Sequence, residues 1–169
     1  VSAFTVAEEF VTCLETAFDG DTGAPARICQ RPGDQVPFLF GVGVDECCAG
    51  LAWVRVQSIA PVTDPEQAND PDFNSCTDSR RMITLELGVV RCNPSGVDVS
   101  CEAWTALAAR MDLDYRAMQR AVCCAVTSLV NDDSDVYRIR PGTWEPLESN
   151  GGCAGGSMPV TVWTDCTDC

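Results

Sequence analysis

This chain of 169 residues contains no histidine and no lysine. Their absence removes the commonest general base, the Schiff-base amine and the usual basic partner of a nucleophilic cysteine or serine, so the expectation is a protein that is not an enzyme. All eleven cations are arginines, set against 25 aspartates and glutamates, and the formal net charge is −14. So acidic a chain repels phosphate, and nucleic acid is not expected as a tight partner. No apolar run approaches the roughly 20 residues that span a bilayer, and no basic segment followed by an apolar one opens the chain. The expectation is therefore a soluble chain that contacts no membrane, either unsecreted or already processed. Internal repeats and low-complexity segments are lacking as well.

What is present begins with length: 1–169 is enough for a single domain with a core that needs no staples. The stretch MITLELGVVRC at 82–92 alternates strictly, with Ile83, Leu85, Leu87 and Val89 on one side and Met82, Thr84, Glu86 and Gly88 on the other. This is the pattern of a half-buried strand. A second run at 51–59 is rich in β-branched and aromatic residues and stops near Pro61. The two are expected to be antiparallel neighbours. Thr5 followed by Glu8 reads as a capping box, and Val6, Phe10, Leu14 and Phe18 then mark an amphipathic helix over 5–18, ended by Asp19-Gly20-Asp21. Residues 19–37 read as loop and 38–44 as a short strand.

Farther along, Ser100 is a good N-cap for either one helix over 101–130 or two helices broken near Asp112, where Asp112-Leu113-Asp114 offers a second cap. Its second half, from Met118 to Leu129, carries the wider apolar face; Trp104, Leu107, Ala108 and Met111 form a narrower one in the first half. Strands are expected at 136–139 and 160–164, and the GGCAGG stretch at 151–156 reads as a bulged hairpin turn. It lacks the lysine and following helix of a phosphate-binding loop. The fold class is thus α+β, a mainly antiparallel sheet of about four to five strands packed by an N-terminal helix and a long helix, either continuous or broken near Asp112. The segment 60–80 is a long loop between the two main strands, too rich in Pro, Asp and Asn for regular structure. It reads as a tip or as an arm able to grip a neighbour, with Pro65, Asp70, Phe73 and Asn74 as the candidate contacts.

Twelve cysteines leave three alternatives open: buried thiols, several disulfides, or a four-cysteine zinc site assembled from distant segments. Cys166-Thr167-Asp168-Cys169 is the sole C-x-x-C, and the doublets Cys47-Cys48 and Cys123-Cys124 chelate poorly. In simple register Cys92, at the end of its strand, has Cys47 or Cys48 as its natural disulfide partner. The acidic clusters at 132–135 and 64–72 lack the glycine and terminal glutamate of a calcium loop and read as solvated loops. No catalytic residue, cofactor or metal is expected.

Taken together, DECCAGLAWVRV at 45–56, ITLELGVVRC at 83–92, MQRAVCCAV at 118–126 and WEPLESNGGCAGGSMPVTV at 144–162 resemble small structural proteins of tailed actinobacteriophages. The order of helix, strand pair, helix and Gly-rich turn before a last strand is similar to the tail terminator of long-tailed, siphovirus-type phages, over about residues 36–164. That resemblance implies a virion protein assembled in the host cytoplasm, a homohexameric ring at the head-proximal end of the tail tube. There it would end tail polymerisation and present a surface for head–tail joining. The implied partners are other copies of itself, the tail tube protein and the head–tail connector protein, with DNA passing through the ring without specific binding. The alternatives are another connector protein, a stopper or adaptor, and a secreted, cysteine-stapled binding module.

Overall fold

The computed structural model describes residues 1–33, 48–62, 80–94, 98–130, 135–150 and 152–165. Among these residues two helices and six strands form an α+β fold: α1 (Ala3–Phe18), β1 (Arg27–Gln30), β2 (Leu51–Pro61), β3 (Arg80–Cys92), α2 (Cys101–Leu129), β4 (Val136–Pro141), β5 (Glu145–Asn150) and β6 (Cys153–Asp165). The sheet order is β1-β2-β3-β6-β4, with β5 also on β6; β1 runs parallel to β2 and every other pairing is antiparallel. β2 and β3 are neighbours, Leu51 facing Val90 and Pro61 facing Arg81, with one bulge between Val56 and Ser58. The alternation in β3 puts Leu85, Leu87 and Val89 in the core, each at most 1 % exposed.

Several expectations are corrected. The first helix is capped by Ser2, whose hydroxyl accepts from the Thr5 backbone N–H, so the helix starts before Thr5. Of the two alternatives for the second helix the single unbroken one is found; Asp114 is no cap but a buried carboxylate inside the helix, held by arginines. Its first half contributes little to the core, leaving Trp104 46 % exposed, and its buried residues begin at Asp114. β1 lies in the stretch expected to be loop, because four residues are too few for periodicity to declare a strand. β5 carries Pro146, tolerable because the strand lies on the sheet's outer edge. The glycine-rich stretch is mostly strand, not turn. β5 and β6 are antiparallel neighbours with Asn150 paired to Cys153, and Gly152, just before β6, has the positive φ of +85° that glycine tolerates. The expected strand at 38–44 lies outside the described residues.

Cross-strand partners share a face of a sheet and alternate residues do not. Both helices pack on the face of Ala52, Val54, Leu85, Leu87, Val89, Met158, Val160 and Val162, burying Val6, Phe10 and Leu14 from α1 and Met118, Ala121 and Ala125 from α2. Cys13 and Cys124 bridge the two helices over that core. The opposite face has its own small cluster, Leu51, Trp53, Val90 and Cys153, with Cys29 and Leu147 against it, to which neither helix contributes. Trp53 lies flat over β3 because Gly88 has no side chain: a Cβ there would sit 2.1 Å from the indole.

Candidate functional site

The face of the sheet that neither described helix covers, the helix-free face, is the candidate surface for a partner or ligand. Its middle is organised by Glu86 on β3, which is 6 % exposed although its strand pattern reads as solvent-facing. Register places Arg55 opposite it, and the Arg55 guanidinium donates to both carboxylate oxygens, Nε to Oε1 at 2.8 Å and Nη2 to Oε2 at 2.9 Å. Trp53 Nε1 donates to Oε1 at 3.0 Å and Gln57 Nε2 to Oε2 at 2.9 Å. Four donors and a paired cation satisfy the carboxylate completely, which is what burial of a charge requires. Beside it lies a cleft of about 330 Å³ lined by Gln57, Glu86, Thr143, Glu145, Ser157 and Pro159. With Glu86 engaged by Arg55, the cleft offers one exposed carboxylate, Glu145, and neutral polar groups. That set lacks a paired acid and base or an activated nucleophile.

One end of the same face is basic and aromatic. Arg80, Arg138 and Arg140 are exposed, and the Arg138 guanidinium stands 5.1 Å from the centroid of the half-buried Trp163. Register puts Arg80 opposite Asp165 and Arg138 opposite Trp163.

On the helix side a second charge network fastens α2 to the sheet. Arg91 of β3 donates to both oxygens of Asp114, at 2.9 Å and 2.6 Å, and to the Gly23 carbonyl at 2.7 Å. Arg110 donates to Asp114 at 3.2 Å and to both oxygens of Asp21, at 3.0 and 2.8 Å. The hydrogen bonds from Arg110, then that from the Gly23 N–H, hold the Asp21 carboxyl down to about 2. Arg110 is correspondingly raised, first by its bond to Asp21. This network is structural: its members lock β3, α2 and the turn after α1 together. Nothing in the sequence marked Arg91 or Glu86, because a charged residue in an alternating strand reads as solvent-facing until its partner's register is known.

Cys92 is bridged to Cys48, their Cα atoms 4.0 Å apart. Cys153 is also disulfide-bonded, and Cys29, Cys101 and Cys123 are free. Cys47 and the arm residues Pro65, Asp70, Phe73 and Asn74 lie outside the described residues. Among the described residues no group of three or more metal-ligating side chains converges. Asp135, of the acidic cluster at 132–135, instead accepts from the amino group of Val1 at 2.6 Å. No described helix is long and apolar enough to cross a membrane.

No protein-family model matches this chain, and no curated protein is significantly similar to it.

Proposed function

We propose that this protein is a structural subunit of a phage virion, a tail terminator that works as a ring of identical copies. The ring would sit at the head-proximal end of the tail tube, stop its polymerisation and receive the head–tail connector. The observation that carries this reading is the order of elements: helix, antiparallel strand pair, helix, then a long last strand. It is the order on which the resemblance to tail terminators rests. Among the described residues both helices cover the same face of the sheet, which supports it further, since a ring subunit needs two different surfaces to offer its neighbours. The net charge of −14 suits a channel wall past which DNA must slide without adhering.

The test is direct. Purified protein should have the native mass of a small closed oligomer and appear as rings in electron micrographs. Phage lacking the protein should make tails of uncontrolled length that fail to join heads. A monomer at every concentration, or fixed-length tails joined to heads in its absence, would remove the reading.

The bridges Cys13–Cys124 and Cys48–Cys92 favour a second reading, a secreted binding module. Intact mass under native isolation separates the two. A secreted module keeps its bridges and loses about two protons for each, whereas a ring assembled in cytoplasm is isolated with these cysteines largely as thiols.

A further inference from the structure

We propose that the arginine–tryptophan end of the helix-free sheet face is a docking surface for a second copy of this chain, whose α1 supplies the complementary acidic stripe. This rests on the ring reading and names the contact that would build it. Arg138 and Arg140 alternate along β4 and so point to the same side, about 7 Å apart along the strand. Trp163 and Met82 lie on that face as half-buried apolar ground between the strands, and Arg80 borders it on β3. Arg138 is met by the ring of Trp163, and Arg80 lies 3.7 Å from a carboxylate oxygen of the exposed Asp165. In a chain of charge −14, this is a concentration of cations that, among the described residues, has a single ion pair, Arg80 with Asp165.

The matching surface is α1. Phe4, Glu8, Glu15 and Asp19 fall within a narrow arc at 100° per residue, all exposed, and the helix contains no arginine to offset them. Glu8 and Glu15 are about 10 Å apart along the axis, a span that two flexible arginine side chains on one strand can reach. Phe4, 59 % exposed, adds an apolar group to face Trp163 and Met82. Since α1 lies on the helix-covered face and the arginines lie on the other, the contact joins two different surfaces. Such a contact is head-to-tail and propagates until it closes on itself.

Sedimentation of the full chain at about 0.05 and about 0.5 M salt tests this, with circular dichroism verifying that every variant folds. Wild type should associate and weaken with salt. R138E/R140E and E8R/E15R, each alone, should associate at least about tenfold more weakly. Mixed in equal amounts they should recover assembly, because each brings one native surface and the two reversed surfaces complement each other. Unaltered association of R138E/R140E, or a mixture that regains nothing, overturns the proposal while leaving a ring intact. A monomeric wild type removes the ring and this contact together. If that monomer retains a labelled single-stranded oligonucleotide through Arg138 and Arg140, the surface serves nucleic acid and the proposal is wrong.

Discussion

Replacing the buried Arg91 by methionine should destabilise the protein more than replacing any of its exposed or half-exposed cations. Its side chain is 11 % exposed and that of Asp114 is 5 %. Methionine keeps much of the volume and removes three hydrogen bonds, two of them to a carboxylate that stays buried. Breaking a buried pair from one side costs about 3–5 kcal/mol, because the surviving charge has lost its compensation. Here Arg110 still donates to Asp114 at 3.2 Å, so the lower end, about 3 kcal/mol, is expected. Asp114→Leu should cost about the same, stranding Arg91. The double variant leaves an apolar contact and no orphaned charge between the two positions. It should cost about 4 kcal/mol, which is about 2 kcal/mol less than the sum of the singles. Urea unfolding of oxidised protein, with the slope checked for constancy, measures all three. Arg91→Met costing under about 1 kcal/mol, or a strictly additive double variant, would show that the pair does not hold α2 to β3.

Removing the helix–helix bridge with Cys13→Ala/Cys124→Ala frees a loop spanning 111 residues, so the oxidised chain should lose about 4–5 kcal/mol. That corresponds to a fall in Tm of roughly 10–18 °C; identical melting of wild type with and without reductant would mean that the bridge does not form in solution. The Asp21 carboxyl is lowered from 3.8 to about 2 in the folded state, so the folded protein binds fewer protons than the unfolded one in that window. Its contribution is complete above about pH 4 and is lost as pH falls toward about 2. Asp21→Asn should be less stable at neutral pH and should show a flatter acid-unfolding profile between those limits; equal profiles would refute the link to Arg110.

The period-two pattern of residues 82–92 and the four-residue recurrence from Val6 to Phe18 were sufficient by themselves to place the central strand, its antiparallel neighbour and the first helix. Those signals are local, since they come from burying one side of a repeating backbone. The short parallel β1, the Pro-containing β5 and the strand role of Gly155 and Gly156 were not legible. Each exists only because a neighbouring strand supplies pairing, or because another group occupies the space a side chain would fill: the Val89 carbonyl at Gly155 and the Trp144 indole at Gly156. The same holds for the charged residues. Glu86 and Asp114 look solvent-facing in the sequence, and tertiary structure alone brings Arg55 and Arg91 within hydrogen-bonding distance and so permits their burial. The sequence determined which side of each element is apolar; which polar groups meet across the elements was decided by register and packing, because a buried charge is tolerable only where its partner arrives from elsewhere in the chain.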